Sequence, residues 1–309
     1  LLWNDTRSAQ AAADLIGEFG ASAFAERTGL VPVASFTITK LRWLRDHEPE
    51  NAARVAAVAL PHDWLTWRLR GFGPENPDLS ALVTDRSDAS GTGYWSAATG
   101  EYDHALLVAA LGHDVILPRV LSPHESVTDA DGRHVAPGAG DNAAVALGLG
   151  AAVGDAVVSI GTSGTIFAVT DRAIIDPTGI VAGFADATGA HLPLVCTLNA
   201  ARVLDVIARL LDVDHDGLSA LALAAEPGAG GLKLVPHFEG ERSPNLPDAT
   251  ASLSAMTLAS TTRENLARAA VEGMLTGLRF GPDPRRGFGV PLARVLLVGG
   301  GAQPHAVGG

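Results

Sequence analysis

The spacing of hydrophobic and polar residues changes along the chain at about residue 154. Before that point apolar residues recur mainly at helical spacing, as at Leu41 and Leu44. After it come short runs rich in β-branched residues, beginning with 156–160 and 165–169. A change of pattern of this kind is typical of a domain boundary. We therefore predict an α/β protein with one domain in 1–154 and a second in 155–309.

The same pattern predicts individual elements. We expect helices from the polar cluster 4–8 to about Gly17, and in 37–47, from Pro61, around 102–112, after Asp141, in 200–211 and from Thr261. Thr261 and Glu264 have the spacing of a capping box. We expect strands at 1–3, 55–60, 156–160, 165–169, 181–187, 191–198, 232–236 and 295–298.

The stretch 138–144, Gly-Ala-Gly-Asp-Asn-Ala-Ala, is the strongest candidate for chemistry. Glycine allows the backbone to approach a ligand closely, and the alanine-rich run that follows predicts a helix. Asp141 stands at the entrance of this helix. Two interpretations stay open: a carboxylate that caps the helix, and a catalytic carboxylate.

Other polar clusters lie at predicted strand ends or helix starts. Asn4 and Asp5 follow a predicted strand, where α/β folds place ligands, although Asp5 or Thr6 would serve equally well as a helix cap. His62 begins a helix, and a lone histidine there is more often structural than functional. The stretch 84–93 reads as a loop over a site or as a plain turn.

Two glycine-rich turns interrupt the second half. Residues 161–164, Gly-Thr-Ser-Gly, join two predicted strands and present hydroxyl and N–H groups, and residues 299–303, Gly-Gly-Gly-Ala-Gln, follow a buried strand. Such turns let phosphate or nucleotide lie against bare backbone. Each alone is a weak signal, and an ordinary tight turn is the alternative for the first.

Composition narrows the class of protein. The chain has 309 residues, of which 47% are hydrophobic, enough for a large core and two domains. Its net charge of −12 argues against nucleic acid or an anionic membrane as partner. Cys196 is the single cysteine, which excludes an internal disulfide and fits a reducing, cytoplasmic compartment. No apolar run approaches the length of a membrane span.

Taken together and in order, these segments resemble the FGGY family of carbohydrate kinases, and within it the enzymes that phosphorylate D-xylulose. Thr37, Lys40, Trp43, Asp46 and His47 fit the family's first signature. The other segments that carry the resemblance are Leu-Trp-Asn-Asp-Thr-Arg at 2–7, Ser-Asp-Ala-Ser-Gly-Thr at 87–92, Gly-Asp-Asn-Ala at 140–143, Ser-Ile-Gly-Thr-Ser-Gly at 159–164 and Gly-Glu-Arg-Ser-Pro at 240–244.

The resemblance implies an actin-like, ribonuclease-H-like fold with mixed sheets, two domains closing on a cleft, and transfer of phosphate from ATP to D-xylulose with Mg²⁺. Phosphoryl transfer needs mainly alignment and charge neutralisation, which agrees with one carboxylate and two glycine turns. By resemblance Asp141 is the general base and shares the metal with ATP. The remaining site residues implied are Trp3, Asn4, Asp5 and Asn142 for the sugar, and Gly161, Thr162, Gly300, Gly301 and Ala302 for ATP.

Alternatives within and outside the enzyme class stay open. They are a kinase for ribulose, gluconate or another polyol, a non-catalytic actin-fold binding protein, and an inactive fragment. The family's opening phosphate hairpin and its C-terminal helices are not in the sequence, so we expect a partial chain whose N- and C-terminal parts are missing. A homodimer is expected only because members of the family commonly form dimers.

Overall fold

A computed structural model describes residues 1–129, 131–243, 246, 248–279, 292–302 and 307. The described residues form two compact units, each treated by itself below. Unit 1 comprises 1–153 and 169–193, and unit 2 comprises 154–168 and 194–309. Because 169–193 groups with unit 1, the units are not two continuous stretches, and the division into domains 1–154 and 155–309 stays a prediction. None of the described helices is long and apolar enough to cross a membrane.

Unit 1 is mainly helical. Its core is formed by buried residues of three helices and their flanking segments, including Leu15, Ile38, Leu106 and Leu107. Helical spacing places these side chains on one face of each helix, which is why the three pack together. The helices of unit 1 are Ala9–Phe19, Ala21–Thr28, Thr37–His47, Pro49–Ala52, Pro61–Leu69, Arg86–Ser90, His104–Leu111 and Asp141–Gly148.

Strands in unit 1 are short. Val83–Thr84 pairs in parallel with Arg119–Val120, and Val127–Thr128 pairs antiparallel with His134–Val135. Ala182–Ala185 is the neighbour of His191–Thr197, a strand that begins in unit 1 and ends in unit 2. Single 3₁₀ turns occur at Thr6–Ser8 and Leu79–Ala81.

Unit 2 is built on a mixed sheet. Its strand order is Arg294–Val298, Asp155–Ile160, Gly164–Ala168 and the last residues of His191–Thr197. The first two strands are parallel, with Val298 opposite Ser159, and so both end at the same edge. The other pairs are antiparallel. An ion pair of 2.6 Å between Arg294 and Asp155 joins the parallel strands where they begin.

Three helices of unit 2 pack on one another: Ala201–Leu211, His215–Ala224 and Arg263–Arg279. The last of them also contacts the strand Lys233–Val235, which pairs antiparallel with Ser252–Ser254. The 3₁₀ turns of this unit are Ala229–Gly231 and Gly300–Ala302.

Most predicted elements are confirmed within one or two residues, and four expectations are wrong. The stretch 84–93, predicted as a loop or a plain turn, contains the helix Arg86–Ser90, which Asp85 caps. Residues 1–3 form no strand. Residues 55–60 make only an isolated bridge, Ala57 with Ile116, because the apolar side chains of this segment pack against the helical core instead of along a strand partner. The third helix of unit 2 is capped by Thr262, whose hydroxyl accepts the Asn265 N–H at 3.2 Å, and not by Thr261.

Candidate functional site

Asp141 is the first residue of the helix Asp141–Gly148, and Gly140 occupies the N-cap position. The carboxylate is exposed, and its Oδ1 accepts the backbone N–H of Asn142 at 2.8 Å and the side-chain Nδ2–H of the same residue at 2.9 Å. Its Oδ2 accepts no hydrogen bond from the described residues. One carboxylate oxygen is thus fixed by the helix start, and the other is open to a ligand. The interpretation of Asp141 as the N-cap is wrong, because Gly140 takes that position and Asp141 is the first residue inside the helix; the catalytic interpretation stays a prediction.

The turn before Asp141 is held by the segment 85–88 of unit 1. The Gly140 N–H donates to Ser87 Oγ at 2.9 Å. A Cβ placed on Gly140 would lie 3.2 Å from Asp88 Oδ1, a tight contact that the Asp88 side chain would have to relieve by a few tenths of an ångström. The segment that the sequence predicted as a loop over a site or a plain turn is the capped start of the helix Arg86–Ser90, and it supports the Asp141 turn.

His62 lies at the centre of an acidic cluster in unit 1. Its Nε2 is 2.7 Å from Asp63 Oδ1, 3.5 Å from Asp85 Oδ2 and 3.6 Å from Asp88 Oδ2. Burial by itself lowers the pKa of His62, but hydrogen bonds with Asp63 and Asp85 and the charge of Asp88 outweigh it and raise the pKa to about 10. The imidazolium is therefore a cation that faces three carboxyl groups.

The pKa values of Asp85 and Asp88 are shifted in opposite directions. Burial opposes ionisation of Asp85, yet hydrogen bonds from His62 and Ser87 lower its pKa to about 2. Burial, followed by the negative charge of Asp85, raises the pKa of Asp88 to about 7. The spacing of His62, Asp85 and Asp88 would also admit a metal ion, since their ligand atoms lie within 4.8 Å of one another. A protonated imidazole has no free lone pair, so the charged histidine favours an ion-pair cluster.

The other predicted sugar residues also lie in unit 1. Trp3 is 70% exposed. Asp5 caps the turn Thr6–Ser8, its Oδ1 accepting the Arg7 N–H at 3.0 Å, and the backbone hydrogen bond from Arg7 lowers its pKa. Lys40 Nζ donates to the Asp5 carbonyl. Asp5 thus has the capping role that the sequence left open, and the sugar-binding role of Trp3, Asn4 and Asp5 stays a prediction.

The predicted ATP residues come together at one edge of the sheet in unit 2. Gly161 follows the strand Asp155–Ile160, and its N–H donates to Ser163 O at 3.0 Å across the hairpin turn. Gly299 follows the adjacent parallel strand with φ +95°, and a Cβ there would lie 2.4 Å from Ile160 O. Only glycine permits this approach. The two turns are neighbours because parallel strands end at the same edge.

A helix N-terminus reaches the same edge. The Ala201 N–H at the start of Ala201–Leu211 donates to Gly161 O at 3.0 Å. The free N–H groups of a first helical turn carry partial positive charge and favour phosphate. The N–H groups of Gly161 and Ala201 are engaged within the protein, so the exposed Thr162 hydroxyl is a donor that this edge offers to a phosphate, beside the positive end of the helix.

A cavity of about 740 Å³ lies beside these turns in unit 2. Gly300 and Gly301 form one wall, and Leu204, Ala220 and Leu223 supply apolar surface. An apolar cleft with a few polar groups at its rim suits a nucleoside. The polar side chains of the lining are Asp205, His215, Asp216 and Ser219. A second cavity of about 490 Å³ contains none of the predicted site residues.

Residues 240–242 of the Gly-Glu-Arg-Ser-Pro motif are organised by one buried carboxylate, that of Glu241. Glu241 accepts the Thr197 hydroxyl at 2.6 Å, the Leu198 N–H at 2.9 Å and the Asn199 Nδ2–H at 3.0 Å. Burial raises its pKa, but these hydrogen bonds prevail and lower it. This role was not predicted from sequence, because the donors lie about 40 residues earlier in the chain.

Comparison with known proteins identifies the class. The family model of the FGGY carbohydrate kinase N-terminal domain matches residues 1–159, and that of the C-terminal domain matches 156–307. The chain therefore belongs to the FGGY family of carbohydrate kinases, and its fold is the actin-like, ribonuclease-H-like fold of that family, as predicted.

Individual members of the family show which kinases the chain resembles in sequence. The chain is 47% identical to the xylulose kinase of Streptomyces coelicolor over 99% of its own length and 62% of the relative's. The crystal structure of xylulose kinase from Bifidobacterium adolescentis matches with a TM-score of 0.92 and 46% identity, over 99% of this chain and 69% of that one. The crystal structure of gluconate kinase from Lactobacillus acidophilus matches with a TM-score of 0.89, over 99% of this chain and 64% of that one. Its sequence identity is 22%, so this match shows the fold alone. The chain spans about three-fifths of the curated relatives it matches.

Proposed function

We propose that the protein transfers the γ-phosphoryl group of MgATP to the terminal hydroxyl of D-xylulose, giving D-xylulose 5-phosphate and ADP. The observation that carries the proposal is the Asp141 carboxylate, exposed at a helix start with Oδ2 open to a ligand. The similarity to the Streptomyces coelicolor xylulose kinase supports this choice of sugar. The fold alone leaves the sugar open, because a gluconate kinase shares it.

Asp141 acts as the general base in this proposal. Its Oδ2 takes the proton of the sugar hydroxyl as that oxygen bonds to the γ-phosphorus, the bond from phosphorus to the bridging oxygen breaks, and ADP leaves. Asn142 holds Oδ1 through two hydrogen bonds, so that Oδ2 keeps one direction. Asn142, Trp3, Asn4 and Asp5 bind the sugar.

The glycine turns of unit 2 bind ATP. Gly161 and Thr162 contact the transferred phosphate, and Gly300, Gly301 and Ala302 form the wall for adenosine beside the large cavity. Mg²⁺ arrives with ATP as part of the substrate. Carboxylate oxygen is a ligand that Mg²⁺ prefers, and the exposed Asp141 side chain fits that requirement. We further infer a cytoplasmic location and a homodimer, the latter from family habit.

Substitution of Asp141 and of its neighbour separates chemistry from binding. In the full-length protein, Asp141→Asn should lower kcat by roughly 10²–10⁴-fold, the usual contribution of a general base, while the Kd for D-xylulose stays within a few fold. Asn142→Ala should mainly raise KM. Steady-state ADP release and sugar binding by calorimetry measure both. Retained turnover in Asp141→Asn would remove Asp141 from the role of base.

A further inference from the structure

Ser87 occupies a defined position between a buried carboxylate and the Asp141 turn. Asp85 caps the helix Arg86–Ser90, its Oδ1 accepting the N–H groups of Ser87 at 2.8 Å and Asp88 at 3.1 Å. The same oxygen accepts the Ser87 hydroxyl proton. A serine hydroxyl has one proton and two lone pairs, so Asp85 directs a lone pair of Ser87 away from itself.

That lone pair accepts the Gly140 N–H at 2.9 Å, across 53 residues of sequence. Gly140 is the cap of the helix that Asp141 begins, with φ −63° and ψ 159°. The bond therefore holds the Ala139–Gly140 peptide, which lies one peptide before the proposed base. Asp88 contacts the same turn from a second side, 3.2 Å from the position of a Cβ on Gly140.

We propose that Ser87, oriented by Asp85, is a positioning residue for Asp141. The inference rests on the proposed function, in which Asp141 removes the proton of the sugar hydroxyl. A general base works only within about 2.6–3.2 Å of its proton donor. A misplacement of about 1 Å by a residue away from the chemistry can lower the rate on the order of 10²-fold.

The chain offers a matched control on the same helix. Ser90 Oγ also accepts a backbone N–H from a distant segment, that of Ala185 at 2.9 Å, and donates to Ser87 O at 2.6 Å. Ser90 is fully buried. Ser90→Ala therefore removes an equivalent hydrogen bond from the same helix without touching the Asp141 turn.

The test is steady-state ADP release by the full-length protein at saturating MgATP with varied D-xylulose. Ser87→Ala should lower kcat by about 10–100-fold with KM for D-xylulose within about threefold. Ser87→Thr, which keeps the hydroxyl, should recover most of kcat. Ser90→Ala should keep kcat within about threefold whatever its effect on Tm. If Ser87→Ala does not fold, the isosteric pair Ser87→Val and Ser87→Thr gives the same comparison.

Two results overturn the inference while leaving the proposed function intact. The first is an active wild type with kcat unchanged in Ser87→Ala. The second is an equal loss of kcat in the Ala variants of Ser87 and Ser90 that follows the loss of Tm, which would make both residues merely structural. A wild type without sugar-dependent ADP release refutes the proposed function itself, and the inference with it.

Discussion

The two glycines of the predicted adenosine wall should respond in opposite ways to the same substitution. A Cβ on Gly301 would lie 2.6 Å from Ile160 Cγ2 and 3.0 Å from Ile160 O, whereas a Cβ on Gly300 would meet no atom within 4 Å. Both residues line the large cavity of unit 2. Gly301→Ala therefore disturbs the protein itself, and Gly300→Ala places a methyl group in the space assigned to the nucleoside.

The size of each effect follows from these distances. Carbon atoms prefer a separation of about 3.5–4.0 Å, so the methyl group at position 301 or the fully buried Ile160 must move by about 1 Å. Overpacking of this kind costs about 1–3 kcal/mol. Since 1 kcal/mol corresponds to about 2–4 °C in domains of 150–250 residues, we expect Gly301→Ala to lower Tm by several degrees. Gly300→Ala should leave Tm within about 1 °C.

The Kd for ATP should change in Gly300→Ala, the variant whose Tm is expected to stay the same. The same cost of about 1–3 kcal/mol, placed on the bound nucleoside by Gly300→Ala, raises the Kd for ATP by roughly 5–150-fold. Thermal unfolding without ligand and titration calorimetry with ATP measure the two quantities, and D-xylulose binding is the control. A wild-type Kd in Gly300→Ala would refute the assignment of this cavity to adenosine. An unchanged Tm in Gly301→Ala would refute the packing argument.

Three further substitutions test the phosphate turn, the acidic cluster and the Glu241 network. Thr162→Val should raise the activation free energy of turnover by the value of one charge-assisted hydrogen bond, about 1.5–3 kcal/mol, and so lower kcat. Because Thr162 is exposed, Tm should not change. An unchanged kcat would leave the turn with a purely structural role. The pKa of Asp88 is raised from 3.8 to about 7 in the folded protein, so ionisation of this carboxyl group costs folding free energy. Asp88→Asn should therefore become more stable relative to wild type as pH rises from about 4 to 8. Urea unfolding free energies that vary with pH in the same way in both proteins would contradict this. Glu241→Gln should destabilise the protein at pH 7 by about 1.5–3 kcal/mol for each charge-assisted bond lost. Because the pKa of Glu241 is lowered in the folded protein, this difference should be present at pH 7 and shrink as pH falls below 4.5 through the folded pKa. Urea unfolding at a series of pH values from 7 downward measures the change.

Elements whose signal is local were predictable from the sequence. The Gly-Asp-Asn-Ala run predicts a helix at Asp141 because small residues and an acid in the first turn favour helix, and the helix is Asp141–Gly148. The hairpin at 161–164 was predicted from β-branched runs on either side of a glycine turn. Its proximity to Gly299 depends on the parallel pairing of Arg294–Val298 with Asp155–Ile160, which no local pattern specifies.

The acidic cluster could not be assembled from the sequence. His62 lies in the helix Pro61–Leu69, and Asp85 caps a different helix 23 positions later. A lone histidine at a helix start does not indicate a partner carboxylate so far along the chain. The dense polar run around Ser87 is apparent in the sequence, but the hydrogen bond between Ser87 and Gly140 spans 53 residues and has no local signal. The strand expected at 55–60 failed for a related reason, since apolar periodicity does not say whether a sheet partner is available.

The most direct test of the central claim is ADP release by the full-length protein with MgATP, comparing D-xylulose with L-ribulose, gluconate, glycerol and no sugar. The proposal predicts turnover that depends on D-xylulose and exceeds that with each other substrate. Preference for another sugar would keep the phosphoryl-transfer mechanism and contradict the choice of substrate. A folded protein that binds ATP or sugar but releases no ADP with any of them would contradict the claim that Asp141 and the glycine turns form a working kinase site.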